Sequence, residues 1–250
     1  MLVDAIILGG GSALRAGEKS AKCLVDVGGK PMVEWVLDAL DEAVSVGLVV
    51  LLLPQGAEHP AWPDKVDAVL DAGDSVSENI QTGIDHFGGS GWVLLVMADI
   101  PLLSAEAIDD YVRRCQGVQA DAYYSIVDMR NVREQFPDTK RTTMRLTDGE
   151  FTGGNVFLIK KECFSVLRVN GERAFARRKS PVRLLLMLGF GFVFRLFTRR
   201  LSVRELEAKA SALLGVKVVA IQTPFASIGV DVDKDSDLIL AEAALATTDR

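Results

Sequence analysis

The sequence predicts an α/β fold built on a mostly parallel sheet. Short, nearly continuous apolar runs at 5–8, 46–53 and 92–97 have the character of strands covered on both faces. Stretches with apolar residues at helical spacing lie between them, and glycine or proline closes each run. At 250 residues with 49% hydrophobic content, the chain has the material for a sizeable buried core.

Along the chain, Ala5–Leu8 reads as the first buried strand, ended by Gly9, Gly10 and Gly11. Pro31 suits the first turn of a helix whose inner face is Val33, Val36, Leu37 and Leu40. Val46–Leu53 is the second strand, stopped by Pro54. A helix follows over 77–87, with Ser75 or Ser77 as its cap. Trp92–Met97 is the clearest central strand, and Ser104 caps a helix running to about Cys115. In that helix Glu106, Asp109 and Asp110 set the polar face, and Ala107, Ile108, Tyr111 and Val112 the apolar one. Ala122–Val127 reads as a strand. Thr142–Leu146 and Asn155–Ile159 read as a strand pair with turns at Asp148-Gly149 and Gly153-Gly154. Residues 160–215 are mostly helical in character, 216–221 and 228–232 read as short strands, and 235–245 as a closing helix. The organisation expected is one domain over 1–250, with a helical insertion at about 160–215.

A net charge of −6 speaks against a sequence-blind nucleic-acid binder, which needs a basic surface. Cys23, Cys115 and Cys163 lack metal-ligand spacing, which suits free thiols in a reducing cytoplasm. No secretory signal is visible, and the 2–8 run is too short for a membrane span. His59 and His86 have no partner pattern and are expected at the surface.

The chemistry-bearing stretch is L-G-G-G-S-A-L-R-A-G-E-K-S-A-K at the end of the first strand. Bare glycines between a strand and a helix let backbone N–H groups approach an anion closely. Arg15 can fork onto phosphate oxygens, and Lys22 can act as a movable point charge. The spacing is neither a dinucleotide fingerprint nor a P-loop: Leu14 stands where the third glycine of the fingerprint would be, and Gly-Lys-Ser/Thr is missing. A turn with solvated charges is the competing reading. Asp99 stands at the carboxyl end of the central strand, where α/β sheets place ligands, and a carboxylate there suits Mg²⁺. The competing reading is that it caps the turn into the next helix.

L-G-G-G-S-A-L-R-A-G followed by K-C-L-V-D-V-G-G-K-P-M resembles the opening of the MobA-like nucleotidyltransferases. M-A-D-I-P-L-L resembles that family's metal-binding segment, and G-V-D-V-D-K-D-S-D-L its closing acidic segment, with Lys234-Asp235-Ser236 as a departure. The resemblance covers roughly 1–160 and 216–245. It implies a Rossmann-like fold of the nucleotide-diphospho-sugar transferase type and an Mg²⁺-dependent transfer of NMP from an NTP to a phosphorylated small-molecule acceptor. It assigns Leu8, Gly9, Gly10, Gly11, Ser12 and, more loosely, Asn79 to the nucleotide, and Arg15 and Lys22 to catalysis. Lys19 competes with Lys22, because some relatives place the lysine sooner. Asp99 and Asp233 are the implied metal ligands, with Asp231 in competition for the second place. Gly154 and Asn155 are implied acceptor contacts, with Lys140 and Arg141 available to an acceptor phosphate. A glycosyltransferase of the related fold, or a non-catalytic nucleotide-binding or membrane-surface protein, are the alternatives. Base, acceptor and oligomeric state stay open.

The run from 184 to 197 is strongly apolar and flanked by Arg177, Arg178, Lys179, Arg199 and Arg200. A buried helix pair is the leading expectation, because long apolar runs are usually core. A cover for an apolar acceptor, or peripheral contact with a membrane through 177–200, are the others.

Overall fold

The computed structural model describes residues 1–10, 21–62, 64–177 and 187–248. Its centre is a sheet in the order β10-β7-β9-β6-β1-β4-β5, with β8 added to β9. The strands are β1 (Val3–Leu8), β4 (Val46–Pro54), β5 (Ala68–Ala72), β6 (Trp92–Met97), β7 (Ala122–Asp128), β8 (Thr143–Leu146), β9 (Gly149–Lys160) and β10 (Val218–Thr223). A separate two-stranded ribbon joins β2 (Asp26–Val27) to β3 (Lys30–Pro31). β1 pairs in parallel with β4 and β6, β4 with β5, and β10 with β7. β9 runs against both β6 and β7.

Both faces of the central strands are covered, which is why their sequences are continuous apolar runs. Ile7, Leu51, Leu94 and Val96 pack with α1 (Met32–Glu42) and α3 (Ala105–Gln116) on one face. Ile6, Leu8, Val50, Leu52, Val93 and Leu95 meet α2 (Val76–Phe87) and the start of α5 (Phe164–Arg177) on the other. Gly83 sets the closeness of α2, since a Cβ there would lie 2.5 Å from Ile6 Cδ1. The two expected caps form: Ser75 accepts from Glu78 N and Ser104 from Ala107 N.

Several expectations change. Residues 228–232 are not a strand. A 3₁₀ turn over Ala226–Gly229 leads into an extended segment that crosses the strand ends, where Val232 N donates to Asp99 O at 2.9 Å. Its apolar residues are buried by that crossing, not by joining the sheet. Gly153-Gly154 is not a turn, because β9 continues through it, with a shift of its register against β7. The glycines are needed for close approach: a Cβ at 153 would meet Tyr124 Oη at 1.8 Å, and one at 154 Ser125 Oγ at 2.1 Å. Asp110 is buried, held by Arg113 and Arg114 from its own helix, so it does not belong to a solvated face. Helix α4 (Met129–Gln135), capped by the Asp128 side chain, and strand β5 were not foreseen.

Between β9 and β10 the described elements are helical: a 3₁₀ turn, α5, α6 (Phe190–Phe197) and α7 (Val203–Leu214), the last opened by a Ser202–Glu205 capping box. The buried helix pair expected across 184–197 is not what α6 provides. None of its residues is buried, and Phe190, Phe194 and Phe197 are 75%, 54% and 81% exposed. The chain closes with α8 (Asp235–Thr248), whose Ala241 and Leu245 pack with Val27 and Met32.

Candidate active site

The parallel strands β1, β4, β5, β6 and β7 end on one edge of the sheet, and the first half of the antiparallel β9 begins there. At the end of β1, Gly9 N donates to Leu52 O at 2.9 Å, and a Cβ on Gly9 would lie 2.7 Å from the same oxygen. The backbone therefore leaves the sheet where no side chain fits. Gly10 follows beside Asn79 Nδ2 and Ala72. Asn79 is buried, and its Oδ1 accepts from Gly73 N at 2.7 Å. It lies in the first turn of the capped helix α2 and braces the ends of β1 and β5. Gly11, Ser12, Arg15 and Lys19 lie outside the described residues.

Lys22 opens a 3₁₀ turn over Lys22–Leu24, and the buried Cys23 donates Sγ–H to Gly9 O at 3.4 Å. Burial pushes the Cys23 thiol up to about 12, so it packs and is no nucleophile. The Lys22 ammonium donates to Asp99 Oδ2 and to Asp233 Oδ1, each at 2.6 Å. Burial pulls its pKa down, but the hydrogen bonds to Asp233 and Asp99 and their charges outweigh this, and the net shift is upward. Residues 77 and 211 positions apart in the chain thus meet Lys22.

Asp99, Asp231 and Asp233 each present a carboxylate oxygen within 4.8 Å of the others. Asp99 Oδ1 is buried with no hydrogen-bond partner among the described residues. An orphaned buried acceptor in an all-oxygen donor set fits a hard divalent cation. Asp233 is held below the usual carboxylate range by the hydrogen bond from Lys22. Asp231 behaves oppositely: burial pushes it up to about 6, only partly offset by the charge of Arg141. Arg141 donates to both the side chain and the backbone oxygen of Asp231, the latter at 2.5 Å. Its guanidinium is therefore committed to the acidic segment, and Lys140 is the exposed member of the pair.

Beside this cluster opens a cleft of about 640 Å³, lined by Lys140, Gly154, Asn155, Asp231, Asp233 and Lys234 among others. Asn155 donates Nδ2–H to Ile228 O at 3.1 Å, which fixes its amide at the rim. Tyr124 and Phe157, stacked at 5.2 Å, also line the cleft. Sequence reading missed them; the available signal was an aromatic at an outward alternate position on each of two strands.

A sequence model of the MobA-like NTP transferase domain matches residues 5–182. The chain belongs to that family. A solved structure described as a hypothetical transferase from Thermus thermophilus is 37% identical, covers 95% of this chain and all of its own, and superposes with a TM-score of 0.83. The 2-C-methyl-D-erythritol 4-phosphate cytidylyltransferase of Clostridium perfringens is 22% identical over 118 residues, 44% of this chain and 52% of that protein. The ribitol-5-phosphate cytidylyltransferase of Lacticaseibacillus paracasei is 24% identical over 160 residues, 59% of this chain and 66% of that protein. The match to the first of these cytidylyltransferases thus spans about half its length. The MobA-like chain has the mostly parallel sheet of the nucleotide-diphospho-sugar transferase fold.

Proposed function

We propose that this MobA-like protein is a nucleotidyltransferase that moves an NMP group from an NTP to a phosphorylated small-molecule acceptor. An acceptor phosphate oxygen attacks the α-phosphorus, the bond from that phosphorus to the bridging oxygen breaks, and pyrophosphate leaves. The observation that carries the reading is the Lys22 ammonium held between Asp99 and Asp233, between the glycine exit of β1 and the cleft. A cation, an acidic cluster and open backbone at one sheet edge are the parts that charge-dispersing phosphoryl transfer requires.

Gly9, whose N–H is taken by Leu52 O, turns the chain out of the sheet toward Gly10, whose backbone would meet the phosphates, and Asn79 holds the neighbouring loop in place. Lys22 stabilises charge as it builds on the leaving pyrophosphate. Asp99 and Asp233 would hold a divalent cation, with Asp231 beside them, and that ion would offset phosphate charge. Asn155, Gly154 and Lys140 orient the acceptor in the cleft. The cytidylyltransferase relatives make CTP the first nucleotide to try.

The test is pyrophosphate release from each NTP with Mg²⁺ and a panel of phosphorylated polyols and sugars. One nucleotide and one acceptor class should turn over, and Lys22→Ala should cut kcat/KM by about 10²–10³. No pyrophosphate from any pairing, or full turnover by Lys22→Ala, overturns the reading.

A further inference from the structure

The short helix α6 turns its most apolar side chains toward solvent. Phe190, Phe194 and Phe197 follow one another at helical spacing on one face and are all exposed. The opposite face is the partly covered one, where Lys209 of α7 lies over the Phe192 ring at 5.8 Å. The helix is fastened as a unit: Arg195 pairs with Glu205 and donates to Arg200 O at 2.7 Å. At its end Arg200 N reaches back to Arg195 O, with Arg199 in the left-handed conformation (φ 57°), a position that favours glycine. That turn sets Arg199 and Arg200, both exposed, directly after Phe197.

The charge around this face decides what covers it. Among the described residues, Arg199 and Arg200 are exposed directly after Phe197, while Arg195 is paired with Glu205; in sequence, the stretch from Arg173 to Arg204 carries nine lysines and arginines and no aspartate or glutamate, although the whole molecule is net negative at −6. A second copy docked face to face would set Arg199 and Arg200 against their own counterparts. A neutral protein groove would leave them unmatched. An anionic bilayer accepts both components, the rings at the headgroup boundary and the arginines at the lipid phosphates.

We propose that α6, with Arg199 and Arg200 at its end, forms a docking face for an anionic membrane surface, on which the protein lies without spanning it. No helix among the described residues is long and apolar enough to cross a membrane. The proposal is independent of the catalytic reading, because binding to lipid is read without turnover.

The test is co-sedimentation of the whole chain with vesicles of phosphatidylcholine alone and with one quarter phosphatidylglycerol. Binding is expected only to the anionic vesicles, and it should weaken as salt rises. The triple variant Phe190→Ser, Phe194→Ser, Phe197→Ser should lose at least tenfold in affinity, as should Arg199→Gln with Arg200→Gln. All five positions tested are exposed, and circular dichroism with a thermal melt verifies that each variant is folded. Absence of wild-type binding to anionic vesicles, or equal binding by both folded variants, overturns the proposal. So does a wild-type dimer that the phenylalanine variant converts to monomer in analytical ultracentrifugation, which would make the face a self-interface.

Discussion

Lys22, Asp99 and Asp233 meet, one cation between two carboxylates, only because three remote stretches of chain converge. Asp99 and the end of the chain could be read from sequence as acidic positions at strand termini. The division of labour between Asp231 and Asp233 could not, since it depends on Arg141, 90 positions away, claiming Asp231. The two carboxylates therefore titrate differently. Asp231, with burial raising it to about 6, keeps its proton below that pH and is ionised above it. Its raised value contributes stability that is fully present below the unfolded carboxylate range and is lost as pH rises through about 6. A divalent cation favours the ionised form, so Mg²⁺ affinity should climb between pH 5 and 7 with proton release. Calorimetry in buffers of different ionisation enthalpy should detect that release, and Asp231→Asn should abolish it. A variant that releases as many protons as wild type would place the titrating group elsewhere.

At the scale of elements, the strands most legible in the sequence were those buried on both faces, because only they give unbroken apolar runs. The glycine pair of β9 misled, since Gly-Gly usually marks a turn and here serves close strand-to-side-chain contact. Gly154→Ala puts that to the test. Its methyl would lie 2.1 Å from Ser125 Oγ, which donates to Val156 O at 2.6 Å, and 2.8 Å from Ile228 Cγ2. Overpacking of this kind costs about 1–3 kcal/mol, visible as a lower midpoint in urea. An unchanged midpoint would mean that β9 shifts freely there. Helix α6 misled in the other direction: apolar content argued for burial, and only the surrounding charge pattern hinted at an outward face.

For the molecule as a whole, a sheet covered by helices on both faces leaves the strand edge as the place where loops gather. Fold class was readable because alternation and apolar runs are local signals. The cleft was legible only in part, through Lys140, Gly154, Asn155, Asp231 and Asp233, and not in its aromatic wall, because its sides come from β7, β9 and the 231–234 segment. A ligand that bridges these parts should stabilise the folded state globally. With NTP and Mg²⁺ at a hundred times Kd, linkage gives about 2.7 kcal/mol, or roughly 5–10 °C in Tm for a chain of this size. Scanning calorimetry should show that rise, and the Asp99→Asn, Asp233→Asn double variant should lose its Mg²⁺-dependent part. A full rise in the double variant would put the cation site elsewhere.

The bond from Val232 N to Asp99 O also dictates when competence arises. During synthesis the β1 exit, Lys22 and Asp99 leave the ribosome early, whereas Asp231 and Asp233 emerge only after the last sheet strand has been made. A nascent polypeptide carries half an ion cage and no more, so assembly of the chemistry is deferred until translation has delivered every wall of the cleft.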